Sequence, residues 1–196
     1  MFLYGASGHA KVIIDILESL NVEVKGLFDD NIDIKYLSNY EVFGKFNNIL
    51  LGNDNLIISI GNNVIRKRIA DQISVNYGNA IHRSALISSS SCIGKGTVIM
   101  QNAVIQSEAI VGKHCIINTS SIIEHECRID DFAHISPNAT LCGNVIVGEG
   151  THIGAGAIVL PGVRIGNWVT IGAGSVILKN IPDNVTAVGN PGKIIK

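Results

Sequence analysis

From Ile81 onward an aliphatic residue returns at every sixth position: Ile81, Ile87, Ile93, Ile99, Ile105, Val111, Ile117, Ile123, Ile129, Ile135, Leu141, Val147, Ile153, Val159, Ile165, Ile171 and Ile177. No insertion breaks the series. A period of six suits neither an α-helix nor a single amphipathic strand, and an unbroken run of this length lies far outside chance. It suits a solenoid whose coil is a triangle of three short strands, with one hexad per side and three hexads per coil. The fifth place of the early hexads is small (Ala85, Ser91, Thr97, Ala103, Ala109, Cys115, Ser121, Cys127, Ala133, Ala139), and Gly gathers at the second and fourth places, as in Ile93-Gly94-Lys95-Gly96. The pattern predicts inward aliphatic side chains, small residues in the remaining corner space, and turns made by glycine.

Residues 1–80 lack the hexad and read as a small α/β unit. Phe2–Tyr4 predicts a strand and Gly5-Ala6-Ser7-Gly8-His9 a turn. Ala10 to Leu20 predicts a helix, with Val12, Ile13, Ile16, Leu17 and Leu20 at helical spacing. Val22–Phe28 and Asn55–Ile60 predict two further strands. Val64–Ile73 predicts a helix with a basic face of Arg66, Lys67 and Arg68. This alternation implies a parallel sheet with crossovers. The Gly5–Gly8 turn lies where a helix N-terminus offers backbone N–H groups to a phosphate. Asp29 and Asp30 end the second strand, where Rossmann-like units bond a ribose or a base. The full G-x-G-x-x-G is absent, which argues against a dinucleotide and for a mononucleotide group. A tight strand-to-helix turn with no ligand is the plainer reading of the same residues.

Composition narrows the partners. Hydrophobic residues make up 46% of the 196 and charged residues 16%, which excludes disorder. Net charge is −1 with no run of Lys or Arg, so neither nucleic acid nor an anionic membrane surface is an expected partner. The chain opens directly as a strand and has no apolar stretch approaching the ~20 residues of a membrane span. The expectation is a cytoplasmic protein. Cys92, Cys115, Cys127 and Cys142 form no C-x-x-C pair and read as reduced thiols, with Cys115 and Cys127 in the inward fifth place.

Stacked coils lie ~4.8 Å apart, like neighbouring strands. His125 holds the third place of its hexad, between Glu124 and Glu126, and one coil further on stands Gly143. A glycine there can offer a bare backbone N–H beside the imidazole, the geometry of a base next to an oxyanion donor. A solvated surface histidine is the plainer alternative. His134 and His152 are one coil apart and predict a stacked column. His82 and His114 read as solvated.

The hexads resemble the left-handed parallel β-helix of the hexapeptide-repeat acyltransferases. The left hand comes from that resemblance, since crossovers are right-handed as a rule. So does the expected homotrimer with sites between subunits. The segment from Ile117 through Glu124-His125-Glu126 to Ile129 closely resembles the catalytic coil of the PglD-like branch of the NeuD family. These bacterial enzymes N-acetylate UDP-linked 4-amino-4,6-dideoxy sugars. The likeness spans nearly the whole chain: Tyr4-Gly-Ala-Ser-Gly-His9, Asp29-Asp30, Ile60-Gly-Asn-Asn63, Ile65-Arg66-Lys67, Gly143-Asn144-Val145 and the tail Ala187-Val-Gly-Asn-Pro191-Gly-Lys193.

The resemblance implies a nucleotide-sugar-binding domain over residues 1–80 and an acyltransferase domain over 81–196. It implies acetyl-CoA as co-substrate, no metal, and direct attack by the sugar's amine. His125 would be the general base, Glu126 the carboxylate that raises its basicity, and the Gly143 N–H the oxyanion donor. Ser7, Gly8 and His9 would hold the diphosphate, and Asp29, Asp30 and Gly61 the nucleoside. His134, Ala155 and Ala173 would meet acetyl-CoA. The family pattern has another apolar residue and Gly where this chain has Ala155 and Ala173, so contacts there would run through backbone. The residues leave the base open between uridine, guanosine and thymidine. Three rival readings share the sequence: a sialic acid O-acetyltransferase, a zinc-dependent carbonic anhydrase of the hexapeptide-repeat type built on His125, His134 and His152, and a nucleotide-sugar-binding module without catalysis. The nucleotide-like N-terminal unit would have no purpose in the carbonic anhydrase.

Overall fold

The computed structural model describes residues 1–196. The N-terminal unit runs β1 (Phe2–Tyr4), α1 (Gly8–Ser19), β2 (Gly26–Phe28), β3 (Tyr36–Leu37), β4 (Tyr40–Glu41), α2 (Asn48–Leu51), β5 (Leu56–Ile58) and α3 (Asn63–Gln72). β1 lies between β2 and β5 in a parallel sheet. The second strand is shorter than Val22–Phe28 because its partner β1 starts at Phe2, which pairs with Gly26 and leaves nothing to pair before it. The β3–β4 hairpin and α2 are additions to the sequence reading. α2 starts where the Asn47 side chain accepts from the N–H groups of Ile49 and Leu50.

From Ala80 the chain forms a parallel β-helix. Each hexad contributes a two-residue strand, as in Ile116–Ile117, Ile122–Ile123 and Arg128–Ile129. Each strand pairs with the one eighteen residues on: Ile117 with Ile135, Ile123 with Leu141, Ile129 with Val147. The inward aliphatic column and the small fifth-place residues form one continuous core, with Ala103, Cys115 and Cys127 sealed inside it. The turns depart from expectation. Every fourth place from 96 to 174 is left-handed, yet nine are not glycine: Asn102, Glu108, His114, Ser120, Glu126, Phe132, Asn138, Asn144 and Trp168 sit at φ between 53° and 61°. Second-place glycine answers a different need. A Cβ on Gly94 would lie 2.5 Å from the Gly112 carbonyl of the next coil.

The solenoid has three faces. One carries Ala80, Val98, Ile116, His134, His152 and Thr170, and the N-terminal unit docks on it through α1, against Ala80, Val98, Met100 and Ile116. A second presents Leu86, Val104, Ile122, Thr140, Ile158 and Val176 outward, with Leu86 and Ile158 exposed, the others half-buried, and the C-terminal segment bonded to Val176 through Gly189 and Gly192. A third presents Cys92, Ile110, Arg128, Ile146 and Arg164.

Two expectations for single residues are overturned at the docking seam. Arg66 is not on a basic face: it is 1% exposed. All five of its guanidinium N–H groups are used. They donate to the carbonyls of Ile60, Gly61, His114 and Phe132 and to Asn63 Oδ1, at 2.7–3.2 Å. α3 points it inward because the carbonyls of a β-helix corner offer acceptors there that water would otherwise supply. His114 is not solvated either. Its ring is buried, stacked on Phe132 at 5.2 Å and met edge-on by Tyr77 at 4.4 Å. His82 is half-buried, with Nδ1 2.8 Å from Ser84 Oγ. No helix is long and apolar enough to cross a membrane.

Arg66→Met should therefore strip the donors from carbonyls of both units. Unfolding stability should fall by about 2–4 kcal/mol, the scale of buried acceptors left unpaired, read as a lower midpoint in denaturant.

Candidate active site

His125 and Glu126 stand on the edge between the second and third faces. Glu126 takes the left-handed corner, φ 61°, which turns its carboxylate back so that Oε2 lies 3.1 Å from His125 Nδ1. Both side chains are open to solvent. The imidazole lies directly over Gly143: a Cβ there would be 2.6 Å from both Cε1 and Nε2. The coils are pinned at this point by Asn144 N–H donating to the His125 carbonyl at 2.8 Å. The Gly143 N–H itself donates to no group in the chain, while its carbonyl accepts from Gly162 at 3.0 Å. With Nδ1–H turned to Glu126, Nε2 is left as an acceptor beside a free backbone donor.

Ser7, Gly8, His9, Asp29, Asp30 and Gly61 all gather at the carboxyl ends of β1, β2 and β5, the edge where open parallel sheets bind ligands. The N–H groups of Ser7, Gly8 and His9 find no acceptor in the chain, and the N-cap Ser7 makes no side-chain cap bond, so the start of α1 offers free donors of the kind an anion accepts. Asp29 is already engaged: its carboxylate accepts from Ala6 N–H at 2.7 Å and Asn31 N–H at 2.8 Å. It braces the loop. Asp30 is exposed and takes one hydrogen bond from Tyr4 Oη at 2.6 Å.

Between this edge and the docked face runs a cleft of about 540 Å³, lined among others by Gly61, Asn63, His134, His152 and Trp168. Asn63 Nδ2 fixes its wall by donating to the Gly150 carbonyl at 3.0 Å. His134 and His152 stack at 4.8 Å, as their spacing predicts. Burial, and then the charge of His152, pushes the His134 pKa down to about 3. Burial and Arg66 push His9 down to about 4, and His152 is lowered for the same two reasons. His9 Nε2 is buried without a partner. Asn118 and Ser136, which the sequence reading passed over, bond Nε2 of His134 and His152 at 3.1 and 2.7 Å. Both pairs obey one rule of spacing, sixteen residues apart and repeated a coil later, and that repetition was the signal available for finding them.

Ala155 and Ala173 are exposed on the remaining edge, where Gly174 N–H meets the Ala155 carbonyl at 2.8 Å. Within one chain, then, the proposed base, the cleft and this alanine column occupy different sides of the prism. No group of three His, Cys, Asp or Glu side chains is placed to hold a metal ion.

Known proteins align with this arrangement. Residues 1–73 match the PglD N-terminal domain family, and residues 144–179 match the bacterial transferase hexapeptide family (six repeats). A variant of perosamine N-acetyltransferase from Caulobacter crescentus, solved in complex with CoA and GDP-perosamine, is 33% identical, with a TM-score of 0.95 over 100% of this chain and 96% of that one. The acetyltransferase domain of PglB from Neisseria gonorrhoeae, in complex with acetyl coenzyme A, is 34% identical, with a TM-score of 0.91 over 99% and 98%. An uncharacterized protein of Acanthamoeba polyphaga mimivirus is 34% identical over 97 residues, 48% of this chain; that stretch spans only 20% of the viral protein.

Two outcomes follow from the geometry. Gly143→Ala should push the His125 ring aside and lower kcat by roughly 10²-fold or more, the value of a positioned base, with the fold retained. The buried imidazoles of His9, His114 and His134 have folded pKa values of about 4, 4 and 3, below the 6.5 of the unfolded chain. As pH falls below 6.5 the unfolded chain binds protons first. Their contribution is complete above pH 6.5 and is lost as pH drops toward 4. Unfolding free energy should fall across that window, and His114→Phe should make the dependence shallower.

Proposed function

Because the chain belongs to the PglD-like sugar acyltransferases of the hexapeptide-repeat superfamily, we propose that it moves the acetyl group of acetyl-CoA onto the amino group of a nucleotide-linked 4-amino-4,6-dideoxy sugar. The observation that carries this reading is the imidazole of His125 lying on Gly143, with Glu126 on Nδ1 and an unused backbone N–H beside Nε2. His125 Nε2 takes the proton of the amine as the carbon–nitrogen bond forms, and Glu126 balances the resulting imidazolium. The Gly143 N–H donates to the oxygen that gains charge when the thioester carbonyl becomes tetrahedral. The carbon–sulfur bond then breaks, and the CoA sulfur leaves as a thiolate. No metal takes part.

The two units divide the substrates. Residues 1–80 take the sugar nucleotide, with its diphosphate on the free N–H groups of Ser7–His9 and its nucleoside beside Asp30 and Gly61. Residues 81–196 supply the base and the acetyl-CoA site at His134, Ala155 and Ala173. Since these stand on different sides of one prism, neighbouring copies must bring both His125 and the alanine column to the cleft. The outward apolar face of Leu86, Val104, Ile122 and Ile158 is the surface we assign to that contact, with Leu86 67% exposed. Three copies closing around an axis give each cleft one base, which makes the active assembly a homotrimer.

The deciding experiment is a thiol-release assay with acetyl-CoA and nucleotide-linked 4-amino sugars, run beside free sialic acid. Turnover with sialic acid alone would replace this reading by O-acetylation. His125→Ala should lower kcat by roughly 10²–10⁴-fold. Ser7→Asp should cap α1 but repel the diphosphate, leaving the sugar nucleotide unbound. Each variant should be nearly inactive alone, and mixed oligomers of the two should regain turnover. A mixture as inactive as its parents would place the base and the nucleotide site in the same chain.

A further inference from the structure

The cleft contains a hydrogen-bond relay that fixes the state of one imidazole. Asn118 Oδ1 accepts the Thr119 N–H at 2.8 Å, which sets the amide so that Nδ2 is the atom turned toward His134. Nδ2 stands 3.1 Å from His134 Nε2. An amide NH₂ can only donate, so Nε2 accepts. A neutral imidazole that accepts at Nε2 carries its proton on Nδ1. Burial keeps this imidazole neutral throughout the physiological range.

His134 Nδ1 has no partner in the chain, and it is not sealed off. The only side-chain polar atoms both buried and unpartnered are His9 Nε2 and His114 Nδ1. Solvent therefore reaches Nδ1, and His134 lines the cleft together with Gly61 and Trp168. One coil on, Ser136 Oγ meets His152 Nε2 at 2.7 Å, but a hydroxyl can donate or accept. Only the first imidazole of the stack is locked. A nitrogen already protonated cannot serve as the base, so the natural partner of His134 is an acceptor with no proton to give. The thioester and the two amides of an acyl-CoA arm offer carbonyl oxygens of this kind.

We propose that Asn118 is a positioning residue that locks His134 as the neutral Nδ1–H tautomer, and that this N–H donates to a carbonyl oxygen of the acyl-CoA bound in the cleft. The second half rests on the acyl-transfer reading above; the first does not.

Long-range proton–nitrogen NMR of His134 in the full chain at neutral pH should show a protonated Nδ1 and a bare Nε2. A protonated Nε2 overturns the lock. Asn118→Leu, of similar size but without a donor, should release the tautomer toward Nε2–H. It should also raise the acetyl-CoA KM roughly three- to tenfold, the loss of about one hydrogen bond, with the sugar-nucleotide KM within about twofold. His134→Asn places an amide nitrogen near the Nδ1 position and should keep the acetyl-CoA KM close to wild type, whereas His134→Gln should not. Equal KM values for the two His134 variants, or a released tautomer with unchanged acetyl-CoA KM, overturn the donor role. If wild-type protein turns over no acetyl-CoA, the acyl-transfer reading fails, and the NMR signature still decides the lock. The two His134 variants and the wild-type spectrum keep the test in force should Asn118→Leu not fold.

Discussion

The stacking of one coil on the next at an interval of eighteen residues is the constraint on which everything else here rests. It turns sequence distance into contact, so that residues a coil apart touch face to face: Ile117 on Ile135 in the core, His134 on His152 in the cleft, His125 on Gly143 at the edge. Backbone hydrogen bonds between coils hold the interval fixed, and a single inserted residue would move every inward side chain out of line. The same closeness dictates where side chains are forbidden. The bare Gly143 is what lets an imidazole lie against a backbone amide, just as the bare Gly94 lets backbone lie against backbone.

The second constraint is the seam between the units. A buried arginine normally has a carboxylate beside it. Arg66 has none, and is satisfied by four carbonyls and one amide oxygen drawn from both units. Its charge is therefore not cancelled locally, and it lowers the proton affinity of His9, His114 and His152 in addition to the desolvation each suffers. The seam thus holds the loop that carries Gly61 against the β-helix, and it keeps the surrounding imidazoles uncharged. A neutral imidazole is a directional donor and acceptor, and that is the property the cleft uses.

The solenoid was legible in the sequence because its core obeys an integer period. The inward column, the stacked histidines and the pairing of His125 with Gly143 all follow from counting. The corners were legible only in part. Left-handed backbone favours glycine, but a corner braced by coils on either side tolerates Glu126, Phe132 or Trp168 there, so composition understated the turns. The α/β unit gave its strands and long helices by hydrophobic pattern, whereas the two-residue strands of β3 and β4 have no period to read. Arg66 and His114 were misjudged for one shared reason. Their burial is created by a partner unit about fifty to seventy positions away in the chain, and local polarity carries no trace of it. Asp29 shows the same limit from the other side: its place at a strand end predicts ligand contact, and nothing in that position reveals the two backbone bonds by which it also braces the loop.

A three-sided solenoid has three edges, and this chain distributes His125, the cleft and the alanine column over them. His125, the proposed base, is on one edge, the alanine column on another, and the N-terminal unit covers the face beyond. A prism is rigid across its section, since its core is closed by inward aliphatic residues on every side, so no bending within the chain can bring these groups together. The remaining way to unite them is to place the edge of one prism against the face of another. The outward apolar face of Leu86, Val104, Ile122 and Ile158 lies immediately beside the edge that bears His125. In the proposed trimer, burying that face would present His125 outward to a neighbour's cleft by the same movement that stabilises the assembly. In that assembly catalytic competence and association would be a single event, and the exposed position of His125 and Glu126 in the isolated chain is what such a design requires.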